Sequence, residues 1–89
     1  MQRIVIHFGE HCQTKTKGKP FARRCLNDRT FAYGRTVGHT VEIDAEEGDI
    51  VCYGQAGGLN SYKLYGQVVN GELFQVPELF AMDRLKAGT

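Results

Sequence analysis

The sequence has no tryptophan, no long apolar run and an odd number of cysteines. Each of these features excludes some classes of protein. Without tryptophan, phenylalanine and tyrosine rings have to supply the largest side chains of the core. No apolar run approaches the roughly 18 residues of a membrane-spanning helix, and the N-terminus lacks the small-residue cleavage site of a signal peptide. Three cysteines cannot all pair with one another, whereas small secreted domains usually carry an even set. We therefore expect a cytoplasmic protein with reduced thiols and no membrane partner.

The length of 89 residues predicts a single domain spanning residues 1–89. A domain of this size buries only about 60% of the surface that its unfolded chain exposes. It is therefore expected to have one core and a low free energy of unfolding.

The most regular pattern lies between residues 40 and 54. Val41, Ile43 and Ala45 alternate with acidic residues, which is typical of a half-buried strand. Gly48 suits a tight turn, and a β-rich run begins at Ile50. These features predict two strands that pair as a β-hairpin around an acidic turn.

A second hairpin is predicted around Asn70-Gly71, the dipeptide that best suits a type I′ turn. A two-residue loop sets the register, so Val69 should face Glu72 and Tyr65 should face Val76. Further strands are predicted over residues 2–8 and 30–33. Residues 9–20 and 54–61 have the composition of loops.

Two segments have helical features. Residues 77–86 begin with a proline, carry Glu78 in the first turn and Lys86 in the last, and should bury Leu79, Met82 and Leu85. Residues 21–26 fit one or two helical turns, and the sequence leaves open whether they form helix or strand. The pattern predicts a mainly β protein of about five strands, a small antiparallel barrel or curled sheet of the SH3-like or OB-like kind with a short C-terminal helix. A sheet with one helix on its face is the alternative.

Charge is separated along the chain although the net charge is only +1. Seven basic residues lie between residues 15 and 35 against one acidic residue, a local charge of +6. Cations mixed with aromatic rings are typical of surfaces that bind nucleic acid. We therefore expect a non-enzymatic binding module for an anionic partner, RNA or DNA first. The predicted nucleic-acid-binding residues are Lys15, Lys17, Lys19, Arg23, Arg24, Arg29, Arg35 and Tyr33. Further rings for base stacking are Phe21, Phe31, Tyr53, Tyr62 and Tyr65.

The acidic strand supports an alternative function. Residues 42–49 carry a charge of −5, so they could bind a protein with a basic surface, as an interaction module or inhibitor. The two charge blocks could instead pair with each other. Apolar side chains on both faces of the second hairpin also predict a homodimer or hetero-complex. The predicted protein-interaction residues are Glu42, Asp44, Glu46, Glu47, Tyr65 and Phe74.

An enzyme or a metal site is the third interpretation. His7, His11, Cys12 and Cys25 supply enough ligands for zinc, and Cys12 with His11 could form a catalytic pair. The chain has no Cys-x-x-Cys pair, and the acidic residues lack the spacing of an EF-hand. We therefore predict no metal, no cofactor and no catalytic residue.

Residues 47–55, with the sequence EGDIVCYGQ, resemble the Gly-Asp-x-Val-x-x-Gly-Gln hairpin of lipoyl and biotinyl carrier domains. The resemblance covers nine residues and implies a similar barrel turn. Carrier domains present a lysine at a tight hairpin tip, whereas the tip here is Asn70-Gly71. No carrier function is therefore implied.

Overall fold

The computed structural model describes residues 1–8, 18–27, 29–59 and 61–87. Within these ranges the chain forms eight strands and one helix. The elements are β1 (Gln2–His7), β2 (Gly18–Cys25), β3 (Phe31–Tyr33), β4 (Arg35–Val37), β5 (Thr40–Ala45), β6 (Ile50–Gly57), β7 (Tyr62–Val69), β8 (Glu72–Val76) and α1 (Glu78–Ala87). The prediction of a mainly β, antiparallel domain with a short C-terminal helix is confirmed. The expected number of about five strands was too low.

The strands form a three-stranded sheet in the order β1-β5-β4 and a five-stranded sheet in the order β3-β2-β6-β7-β8. The sheets join where β3 continues into β4 through Gly34, whose N–H donates to the carbonyl of Ala22 at 2.8 Å. A Cβ at Gly34 would lie 2.7 Å from the carbonyl oxygen of Glu42, so only glycine fits this bend. On the opposite side β1 lies near β8, but no hydrogen-bonded ladder joins them. Closure into a barrel is therefore not observed among the described strands.

The first core lies between the two sheets. Its fully or nearly buried members are Ile4, Ala22, Val41, Ile43, Ala45, Val51 and Val68. The alternation predicted for β5 is confirmed by the burial of its three apolar residues. The predicted hairpin over residues 40–54 is wrong, because β5 pairs with β1 and β4 while β6 pairs with β2 and β7. The acidic turn instead carries the chain from one sheet to the other, so β5 and β6 contribute side chains to the first core from different sheets.

The second core lies between the outer face of the five-stranded sheet and α1. It consists of Cys25, Ile50, Cys52, Tyr65, Ala81 and Leu85. The helix is confirmed, but the prediction that Leu79 is buried is wrong, because this side chain is 80% exposed. Ala81 is fully buried instead. A small residue lets the helix approach the sheet closely at this point, which turns Leu79 towards solvent.

The second hairpin is confirmed in position and in register. β7 and β8 pair with Val69 opposite Glu72 and Tyr65 opposite Val76. Asn70 and Gly71 adopt φ angles of 52° and 78°, the left-handed conformation that a type I′ turn requires at both positions.

Two segments differ from their predictions. Residues 21–26 do not form helical turns, because residues 21–25 belong to β2, which lies between β3 and β6. Both faces of β2 are covered, with Ala22 in the first core and Cys25 in the second, so its apolar residues do not alternate. Residues 54–57 extend β6 rather than starting a loop, and residues 18–20 begin β2. Residues 9–17 of the predicted basic loop lie outside the described residues.

Both faces of the β7–β8 hairpin are covered within the chain, one by the three-stranded sheet and the other by α1. Tyr65 is accordingly buried, whereas Phe74 is half exposed. Self-association therefore stays a prediction. No helix in the described ranges is long and apolar enough to cross a lipid bilayer.

The packing of α1 predicts different costs for one chemical change at two positions. Replacing Leu85, which is 7% exposed, by alanine should lower the free energy of unfolding by about 2–4 kcal/mol. The matched substitution Leu79→Ala should change it by less than about 0.5 kcal/mol. Urea denaturation of both variants measures the difference, and equal losses would contradict the observed orientation of the helix.

Candidate functional site

Helix α1 covers only part of the outer face of the five-stranded sheet. Opposed residues of antiparallel strands point to the same face, so the register defines rows of side chains across the sheet. One row consists of Tyr33, Arg23, Cys52 and Tyr65, on four neighbouring strands. The next row consists of Phe21, Gly54 and Lys63. A third row holds Lys19 and Ala56. Tyr65 and Cys52 are buried beside α1, and the remaining side chains extend beyond it. The name open face is used below for Lys19, Phe21, Arg23, Tyr33 and Lys63.

Arg23 lies at the centre of the open face and is held by aromatic side chains. Its guanidinium carbon is 4.1 Å from the ring centroid of Phe31 and 6.0 Å from that of Phe21. Its Nη1 donates a hydrogen bond of 3.3 Å to the hydroxyl of Tyr33. Its Nε is buried and has no acceptor. Arg23 forms no ion pair with a carboxylate in the described part of the chain, so none of the described carboxylates neutralises its charge.

The surroundings of Arg23 keep it cationic. Burial acts to lower the pKa of Arg23, but the hydrogen bond to Tyr33 and the neighbouring Cys52 raise it more, so the pKa stays above its ordinary value. The open face therefore carries three cations, and none of its residues is acidic.

Lys63 was missed in the sequence analysis because it stands alone in β7, outside the basic segment. Its Nζ lies 5.9 Å from the ring centroid of Tyr65, within the range of a cation–π contact. The signal that could have found it is the register of the second hairpin. Lys63 and Tyr65 are two residues apart on one strand and must share a face.

The structure brings together three of the eight predicted nucleic-acid-binding residues, Lys19, Arg23 and Tyr33. Arg24 points to the opposite face of β2, and Arg35 lies in the other sheet, opposite Glu42. The remaining three residues lie apart from this group or beyond the described ranges. Arg29 is exposed in the loop between β2 and β3, and Lys15 and Lys17 lie outside the described residues.

Arg24 joins β2 to the acidic turn instead of facing a ligand. Its side chain is only 14% exposed, and its Nε lies 2.6 Å from Asp49 Oδ2. The contact is an ion pair without hydrogen-bond alignment, because Nε has no acceptor along its N–H direction. Nη2 is 3.7 Å from Glu46 Oε2, and Asp49 Oδ2 also accepts the backbone N–H of Glu46 at 2.8 Å. The two charge blocks of the sequence thus meet at this corner.

The acidic residues mostly bind groups within the chain. Asp44 Oδ1 is 3.0 Å from Arg3 Nε, and Glu42 lies 3.9 Å from the same guanidinium. The carboxylate of Glu47 accepts the backbone N–H of Asn70 at 2.8 and 2.9 Å, which ties the turn to the hairpin tip.

The six predicted protein-interaction residues do not form one surface. Glu42 and Asp44 lie on the outer face of the three-stranded sheet, and Glu46 and Glu47 follow it in the turn. Phe74 lies on the outer face of the five-stranded sheet, on the other side of the molecule, and Tyr65 is buried there. The acidic strand is therefore the accessible part of this alternative site.

The described residues contain no group of three potential metal ligands. His11 and Cys12, the centre of the predicted metal or catalytic alternative, lie outside those residues. His7 ends a strand of the three-stranded sheet, while Cys25 is buried in the other one. Cys25 and Cys52 are free thiols, and burial raises the pKa of each above its ordinary value.

Comparison of the chain with protein-family models, with curated proteins and with solved structures found no match.

The position of Arg24 predicts a structural role. Replacing it by methionine keeps most of the apolar stem but leaves Asp49 without its cation, so the free energy of unfolding should fall by about 1–3 kcal/mol. The control Arg29→Met removes an exposed charge and should cost less than about 0.5 kcal/mol. Thermal or urea unfolding measures both, and a stable Arg24→Met variant would contradict the role of this ion pair.

The raised thiol pKa values predict a pH-dependent reactivity. A thiol with a raised pKa stays protonated to higher pH, and only the thiolate reacts. In a Cys12→Ser background, Cys25 and Cys52 should react with a thiol reagent at pH 8 far more slowly in the folded protein than in urea. Fast labelling of the folded protein would show that the two thiols are accessible as thiolates.

Proposed function

We propose that the protein is a small non-enzymatic binding module that binds single-stranded nucleic acid on the open face. The observation that carries the proposal is the open face itself. Three cations and two rings share one sheet surface that α1 leaves open, and no carboxylate of the described residues belongs to it. Cations of this kind hold phosphates, and the rings stack on bases.

The dimensions of the open face fit a short stretch of nucleotides. Rows of side chains along a strand are about 7 Å apart, and neighbouring strands are about 4.8 Å apart. From Tyr33 on β3 to Lys63 on β7 the surface spans about 14 Å, because three strand spacings separate them. A sheet surface of this kind stacks about two or three bases.

Each residue has a role in this proposal. Tyr33, which is 68% exposed, offers a ring for stacking at one edge. Lys63 and Lys19 are exposed on the second and third rows and hold the phosphates on one side of the stacked base. Ala56, which pairs with Lys19, is exposed and adds no bulky side chain next to it.

A single strand fits this surface better than a duplex. The open face is a sheet surface with aromatic rings, which bind bases only when the bases are unpaired and turned outward. A duplex keeps its base faces stacked inside and offers only phosphates and groove edges. The acidic strand as a site for a basic protein stays the competing prediction, although Asp44 and Glu47 already bind groups within the chain.

The proposal predicts a specific loss of binding. Replacing Lys19 and Lys63 together by glutamine should weaken the binding of a fluorescent single-stranded oligonucleotide. It should also reduce the slope of log K against log salt by about 0.7 for each lysine that contacts a phosphate. Fluorescence anisotropy over a series of salt concentrations measures both quantities.

The control for charge alone is Arg29→Gln, which removes an exposed cation outside the open face and should leave the salt slope unchanged. Neutralising Glu42 and Glu46 should not weaken binding to the oligonucleotide. If the wild-type protein retards no single strand at about 50 mM salt, the proposed function is wrong. Equal losses in the lysine and Arg29 variants would place the binding surface elsewhere.

A further inference from the structure

Arg23 differs from the two lysines of the open face in being held in place. Its guanidinium stacks on Phe31 at 4.1 Å, and Tyr33 accepts one of its N–H groups at 3.3 Å. Lys19 and Lys63 are exposed on flexible stems, and Lys63 is held less closely than Arg23, with its Nζ 5.9 Å from the ring centroid of Tyr65. Because Arg23 is already ordered, less side-chain entropy is lost when a ligand binds to it.

The donors of this guanidinium are mostly unused. Arginine carries a planar fork of N–H donors, of which one from Nη1 binds Tyr33. Nε is buried, so the edge formed by Nη1 and Nη2 is the one that a ligand can meet, and no carboxylate forms an ion pair with Arg23 among the residues that the structure describes. A planar ligand with two adjacent acceptors would therefore match this fork, since bidentate pairs are the strongest contacts that arginine makes.

A nucleic acid offers two partners of that kind, the oxygens of a phosphate and the O6 and N7 atoms of guanine. The surroundings of Arg23 favour the base. The exposed ring of Tyr33 lies beside the guanidinium, so a base whose edge meets Arg23 can stack on this ring. Lys63 on the next row and Lys19 on the row after it are placed to hold the phosphates.

Resting on the proposed function, we infer that Arg23 reads guanine and makes the open face prefer a strand that carries this base. Adenine presents an acceptor and a donor on the corresponding edge, so its amino group would meet the N–H groups of Arg23. Thymine and cytosine offer no pair of adjacent acceptors there. The preference thus arises from Arg23, while the lysines and the stacking rings bind every sequence alike.

The test uses the full chain and oligothymidine probes of about nine nucleotides, a length within the usual site sizes for single strands. The central position carries thymine, adenine, cytosine, guanine, hypoxanthine or 7-deazaguanine. Fluorescence anisotropy should show the guanine and hypoxanthine probes binding roughly tenfold more tightly than the adenine and thymine probes. Hypoxanthine keeps O6 and N7, whereas 7-deazaguanine lacks N7 and should lose most of the preference.

The variant Arg23→Lys keeps the charge but removes the fork. It should bind the all-thymine probe with a salt dependence close to that of the wild type, and it should lose the preference for guanine. The control Arg29→Lys should retain the preference. Because Arg23 is partly buried, Tyr33→Phe serves as a second variant, which keeps the ring, frees the guanidinium and should weaken the preference. Circular dichroism and thermal unfolding establish that each variant is folded.

The outcomes separate the two proposals. Equal binding of all six probes overturns the reading of guanine and leaves the proposed function standing. A preference that survives in Arg23→Lys, or that persists with 7-deazaguanine, also overturns it, the second result showing that the preference does not depend on N7 of the base. Failure of every probe to bind overturns the proposed function, and the reading of guanine falls with it.

Discussion

Coverage of both faces of the five-stranded sheet is the constraint on which the rest of the structure depends. β2 and β6 carry apolar side chains on both sides, as Ala22 and Cys25 show in one strand and Val51 and Cys52 in the next. One side needs the three-stranded sheet and the other needs α1. The bend at Gly34 and the acidic turn connect one sheet to the other, so both are needed for the three-stranded sheet to pack on the five-stranded sheet.

The open face follows from the size of the helix. α1 has ten residues and a rise of about 1.5 Å per residue, so it covers only part of a sheet surface five strands wide. The apolar side chains under it end at Tyr65 and Cys52, and the surface beyond them carries Lys19, Arg23 and Lys63. The same sheet face thus forms a core at one end and a cationic, aromatic surface at the other.

The basic residues of the segment 15–35 have two different roles in the fold. Arg24 and Asp49 meet at the corner between the sheets, where the ion pair holds the acidic turn against β2. Arg23, the next residue along the chain, points to the opposite face and meets aromatic rings instead of carboxylates. Alternation along one strand therefore divides neighbouring arginines between a structural role and the proposed binding role.

The local sequence pattern was sufficient to predict β5, the Asn70-Gly71 hairpin with its register, and the C-terminal helix. Periodicity and turn chemistry act over a few residues, so they can be recognised in the sequence. The sequence pattern also pointed to Lys19, Arg23 and Tyr33. Tertiary structure decided that β5 and β6 belong to different sheets, that residues 21–25 are a strand covered on both faces, and that Lys63 joins the open face. These facts depend on which strands lie side by side. Such contacts connect residues far apart in sequence, so a pattern within one strand does not encode them.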